Sequence, residues 1–183
     1  MPTKIWSSAT TTPTPRNPGN YNDGTTVYVI GANRGFVDLN NTGFYGTAVN
    51  IDATNSTGEN NLSGNLAANI ILGGMGDNTL WGGADFANDI LVGGTGEDDF
   101  FYGKSEGSDS IINASANDEI HLYDVTLSDI VATASDGLSV GILLSTGNVL
   151  TVSGTDIASA EFKLANGVGY QYNYLSKTWA QTN

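Results

Sequence analysis

Residues 58–120 read GENNLSGNLAANIILGGMGDNTLWGGADFANDILVGGTGEDDFFYGKSEGSDSIINASANDEI, and a repeat within this stretch decides the fold. An Asn or Asp is followed two residues later by an apolar residue at Asn60/Leu62, Asn69/Ile71, Asn78/Leu80, Asp89/Leu91, Asp98/Phe100, Asp109/Ile111 and Asp118/Ile120. The units follow one another at 9, 9, 11, 9, 11 and 9 residues, and glycine pairs (Gly73-Gly74, Gly82-Gly83, Gly93-Gly94) flank them. So many units in phase are the signature of a stacked repeat rather than of chance composition.

A nonapeptide of this kind has room for one turn and one very short strand, and two of them complete a coil. The apolar residue points inward and stacks on its counterpart one coil on, at the strand spacing of about 4.8 Å. Leu62, Ile71, Leu80, Leu91, Phe100, Ile111 and Ile120 are therefore the expected core ladder. Glycine is expected in the turns because it reaches positive φ and lets neighbouring coils approach closely. The fold class that follows is all-β: a parallel β-roll, or β-solenoid, of nonapeptide repeats capped by antiparallel strands and hairpins.

Outside the repeat the pattern changes on both sides. Residues 1–22 hold all four prolines (Pro2, Pro13, Pro15, Pro18) among Ser and Thr and read as an extended or disordered arm. Residues 23–57 alternate short β-prone runs (TTVYVI, GFVDL, GFYGTAVNIDA) with Gly and Asn, the pattern of an antiparallel β cap with tight turns. Residues 58–120 form the roll, and residues 121–183 an antiparallel β region that closes it. Within that region SVGILLSTGNVLTV (139–152) and EFKLANGVGYQYNY (161–174) read as hairpins, with Asn166-Gly167 a type I′ signal. Uncapped, the last coil would expose a strand edge and its core.

The chain has 183 residues, 39% hydrophobic and only 14% charged, so its polarity comes mainly from turn-forming and strand-compatible Gly, Asn, Thr and Ser; long helices are not expected. Nineteen acidic against 6 basic side chains give a net charge of −13, a field that repels nucleic acid and anionic membrane and attracts cations. There is no cysteine, hence no disulfide and no thiolate metal site. No apolar run is long enough for a signal-peptide core or for membrane insertion, so export would proceed without an ordinary cleaved leader.

The segment 73–118 resembles the repeats-in-toxin family, whose motif is Gly-Gly-x-Gly-x-Asp-x-apolar-x. Gly93-Gly94-Thr95-Gly96-Glu97-Asp98-Asp99-Phe100-Phe101 matches it at every defined position. Gly73-Gly74-Met75-Gly76-Asp77-Asn78-Thr79-Leu80-Trp81 differs only in Asn78, and the unit from Gly82 to Val92 matches with a two-residue insertion. The likeness extends over residues 58–175 and not to the first 57. It implies Ca²⁺ between successive turns on the same side of the roll, held by motif Asp carboxylates and by carbonyls of the Gly-rich turn. Same-side turns lie two units apart, so one row contains Asn60, Asn78, Asp98 and Asp118 and the other Asn69, Asp89 and Asp109. The implied ligands are Asp89, Asp98, Asp109, Asp118 and Asn78, with Gly74, Gly76, Gly94 and Gly96 in the turns. Asn brings no charge, so a metal-free Asx ladder is the competing reading, above all near Asn60 and Asn69.

The lone histidine, His121, reads as a surface residue; with one imidazole neither a two-histidine zinc site nor a serine-type triad can be built. Trp81 follows an inward residue and is expected to face outward. Tyr170, Tyr172 and Tyr174 alternate, either packing on the adjacent hairpin or forming an interface. The chain is thus expected to be a secreted, non-enzymatic structural protein with a calcium-stabilised roll, self-associating into filaments or layers at the cell surface or in the matrix. The resemblance implies type I export from a Gram-negative bacterium. The alternative is a calcium-dependent folding and secretion module of a larger adhesin or exoenzyme.

Overall fold

The computed structural model describes residues 3–4, 21–31, 35–155 and 157–182. Most of the Pro-rich arm at 1–22 lies outside the described residues; its two described pieces, Thr3–Lys4 and Tyr21–Asn22, pair antiparallel. The rest is a β-roll of two mostly parallel sheets, one of 10 strands and one of 8. The chain crosses from one sheet to the other at each Gly-rich turn, so consecutive rungs fall in alternate layers and same-sheet neighbours run parallel.

The inward columns are continuous. In the 8-stranded sheet Val37, Leu62, Leu80, Phe100, Ile120 and Phe162 stand in register, and in the other Val27, Ile51, Ile71, Leu91, Ile111 and Val152. All of these are buried in one core. All seven residues expected from the repeat belong to these columns, which extend further than the repeat does. Thr26–Gly31 pairs antiparallel with Tyr21–Asn22 on one side and in parallel with Asn50–Ser56 on the other, and Gly35–Asp38 pairs in parallel with Asn60–Ser63, so most of residues 23–57 are further coils of the roll rather than an antiparallel cap. Runs of β-prone residues separated by turns look alike whether the turn reverses the chain within a sheet or carries it across the core.

At the other end the expected hairpins form. Ser139–Leu144 pairs antiparallel with Val149–Gly154, and Glu161–Lys163 with Gly169–Asn173. Val149–Gly154 and Glu161–Lys163 also add in parallel to the last coils, so they join the roll to its closure. The second hairpin lacks the type I′ turn. Its loop spans residues 165–167, Gly167 alone has positive φ (75°), and the Gly167 amide bonds the Leu164 carbonyl at 2.8 Å. Tyr172 is buried beside Trp179, and the Tyr172 hydroxyl and Trp179 Nε1 reach Thr133 in the opposite sheet at 3.3 and 3.1 Å. Tyr172 thus closes the end of the core, whereas Tyr174 lies beyond the strand and is exposed.

Most roll glycines serve close approach rather than positive φ. Gly94 has an ordinary φ, yet a Cβ there would fall 1.6 Å from the carbonyl oxygen of Gly74 in the preceding coil. Relief requires the two turns to separate. Gly94→Ala is expected to cost about 1–3 kcal/mol, read as a lower urea midpoint at unchanged m-value. An unchanged midpoint would contradict the close stacking of these turns.

Candidate metal centre

Each turn presents its Asn or Asp to the counterpart one coil away, and all seven of these side chains are buried. The two rows differ in how far they satisfy themselves. In the first, Asn60 Nδ2 donates to Asn78 Oδ1 at 2.7 Å and Asn78 Nδ2 to Asp98 Oδ1 at 2.8 Å. The Asp98 amide donates to Asp118 Oδ1 at 2.9 Å. The second oxygens are also engaged: Asp98 Oδ2 by the Gly94 amide and Asp118 Oδ2 by the Ser115 amide, each at 2.7 Å. Coil length along this row is 18 and then 20 residues, and the ladder tolerates the change because only the Asx side chains must meet.

The glycines of this side are likewise committed. Gly76 O accepts from Asn78 Nδ2 (2.6 Å), Gly74 O from the Thr95 amide (3.2 Å) and Gly94 O from Asn113 Nδ2 (2.8 Å). Gly96 packs directly over Gly76 O, with no room for a Cβ. Asn at the motif position is therefore no defect here: its amide supplies the proton that a second carboxylate would lack.

The second row is less complete. The Asn69 amide donates to Asp89 Oδ1 at 2.8 Å and the Asp89 amide to Asp109 Oδ1 at 2.9 Å. Asp89 is only 1% exposed, yet its Oδ2 has no hydrogen-bond partner among the described residues. Asp85 Oδ2 is buried and unpartnered in the same sense. Asp85 stands in the turn lengthened by the two-residue insertion, where its other oxygen caps the Ala87 amide. The charge of Asp85 adds repulsion to both Asp89 and Asp109.

Burial pushes the Asp89 carboxyl up to about 6, opposed by the Asn69 amide and reinforced by the charges of Asp85 and Glu106. It pushes Asp109 up to about 8, with Asp89, Glu106 and Asp85 adding repulsion. Burial also raises Glu106, which is held by the Tyr123 hydroxyl, the Gly103 amide (2.7 Å) and Trp81 Nε1 (3.2 Å). Trp81 does face the outer side, but its indole clasps this glutamate. A buried carboxylate oxygen without a donor is costly unless a cation or a proton takes its charge.

The donor set suits a hard cation such as Ca²⁺, which takes six to eight oxygens and shares carboxylates with backbone carbonyls. Asp85 and Asp89 would hold it with their unpartnered oxygens, and Asp109 stands by on the next coil. In the first row Asp98 and Asp118 are already saturated by backbone amides. Asp85 and Glu106 escape a reading based on motif positions because both lie in turn segments outside the consensus; the insertion before Asp89 is the one signal pointing to Asp85.

These features define the class of protein: a parallel β-roll with buried Asx ladders in its turns. No protein-family model matches the chain, and no curated protein matches it.

Proposed function

We propose that this chain is a non-enzymatic, calcium-stabilised structural β-roll that works outside the cell, where Ca²⁺ completes its turns. The observation that carries the reading is the buried oxygen of Asp89 that has no hydrogen-bond partner among the described residues, with a second such oxygen on Asp85 in the same turn. The repeats-in-toxin motif at residues 93–101 supports export by a type I route from a Gram-negative bacterium, since ligand carboxylates that repel one another without the ion keep such a chain loose until Ca²⁺ is met.

Self-association is the partner reading. The outer face of the 10-stranded sheet carries Ile70 and Ile90 as register partners and, two residues along, the column Leu72, Val92 and Ile112 on three successive rungs; Ile70, Ile90 and Ile112 are exposed by 44%, 37% and 40%. A flat, contiguous aliphatic patch of this kind favours contact with a like surface, and bound Ca²⁺ reduces the repulsion between two chains of net charge −13.

Calcium titration of the chelator-treated protein, followed by circular dichroism, sedimentation and electron microscopy, tests both parts. The expected result is saturable tightening of the fold that Asp85→Asn with Asp89→Asn abolishes, together with calcium-dependent assemblies. A fold indifferent to Ca²⁺ would overturn the metal reading; monodisperse monomers throughout would overturn self-association.

A further inference from the structure

The outer face of the 8-stranded sheet carries a second donor set, unrelated to the turn carboxylates. Asp99 and Glu119 are directly opposite one another on adjacent parallel strands, and His121 follows two residues after Glu119 on the same face. Phe101, the register partner of His121, stacks on its imidazole with centroids 4.5 Å apart and planes 4° from parallel. The ring is thereby aimed: Nε2 lies 3.2 Å from Asp99 Oδ1 and 3.2 Å from Glu119 Oε2. All three ligand atoms fall within 4.8 Å of one another.

One ring N–H cannot serve two carboxylate oxygens well. A metal ion can serve all three atoms. A tetrahedral centre with bonds of about 2.0–2.1 Å has ligand–ligand edges of about 3.3 Å, close to the two 3.2 Å separations from His121 Nε2. We propose that Asp99, Glu119 and His121 form a binding site for a divalent transition metal of the Zn²⁺ kind, with its fourth position open to water or to a ligand from another molecule.

An imidazole nitrogen with two carboxylate oxygens is a borderline donor set that prefers Zn²⁺ to the harder Ca²⁺. The ligands stand on strands held by the inward ladder, so they need little reorganisation. Their side chains are 48%, 35% and 23% exposed in the order Asp99, Glu119, His121, which leaves the ion a path in. Lys163 also pairs with Glu119, so the ion shares that carboxylate with an ammonium group and binds more weakly than in a closed structural site.

The test is a Zn²⁺ titration of the full chain in saturating Ca²⁺, by competition with a chromophoric chelator. One equivalent is expected, with affinity reduced about 10-fold or more in His121→Phe and in Asp99→Asn. His121→Phe retains an aromatic ring over Phe101, and unchanged circular dichroism of both variants separates ligand loss from misfolding. The proposal is overturned by absence of stoichiometric uptake, by uptake unaltered in both folded variants, or by displacement of Zn²⁺ with further Ca²⁺.

Discussion

Metal-free protein loses thermal stability as the pH is raised from about 4 to about 8, and Ca²⁺ restores it most at the alkaline end: this is the expected result of melting the chain in chelator across a pH series. Asp89 and Asp109 have folded-state values of about 6 and about 8, above the ordinary 3.8. Between those values and 3.8 the folded chain holds more protons than the unfolded one, so stability falls with rising pH. Their contribution is complete below pH 4 and is lost as the pH passes 6 and then 8. The slope within the window is set by about 1.4 kcal/mol for each pH unit by which a carboxyl is raised.

Glu106 and Asp118, whose carboxyls burial also raises, add to the same fall. Asp129 is held at about 2, chiefly by the Thr126 amide, and so matters only in stronger acid. On the proposed reading Ca²⁺ would take over the charged form, and at 100 times its dissociation constant would contribute about 2.7 kcal/mol. Asp89→Asn with Asp109→Asn should flatten the slope. A metal-free protein whose melting temperature rises or stays level between pH 4 and 8 would show that these carboxyls are not the strained element.

Phe100→Ala carries the largest expected cost of any single truncation. Phe100 is fully buried, in register with Leu80 on one side and Ile120 on the other, and is among the largest side chains of the inward columns. Truncation would leave a void in the middle of a stack whose neighbours are tied to their own rungs and can close in only partly. A loss of about 3–5 kcal/mol is expected in urea unfolding. Ile112→Ala is the control: it removes an aliphatic side chain from the opposite sheet that is 40% exposed, and should cost well under 1 kcal/mol. Similar costs for the two would mean that the columns are not the core.

Much of the fold is legible from residues 58–120 because a stacked repeat writes its own contacts: an apolar residue at a fixed phase must meet its counterpart one coil on. Residues 23–57 lack that phase. Val27, Val37 and Ile51 extend the columns although no Gly-Gly-x-Gly-x-Asp turn precedes them. Pairing direction there depends on where each turn leads, and β-propensity and turn residues carry no information about it. The turn at Asn166-Gly167 differs for a related reason, since a closure seated against the last coil selects the three-residue loop.

The site was legible in part. Motif phase marked Asp89, Asp98, Asp109 and Asp118, and charge separated them from the Asn-bearing turns. It could not distinguish the two rows, because that difference lies in which backbone amides reach which oxygens. Gly94 and Ser115 saturate Asp98 and Asp118, whereas Asp89 keeps an oxygen without a donor.

By itself, then, the sequence determined the all-β class, the position and phase of the stacked ladder and the acidity of its turns, since those depend on spacing and residue type within one or two coils. Only the tertiary structure decided that Thr26–Gly31 and Gly35–Asp38 run parallel to the coils that follow them, that Asp85 and Asp89 each keep a buried oxygen without a donor among the described residues, and that His121 meets Asp99 and Glu119. Each of these is set by register and by the path of a turn, which local composition does not encode.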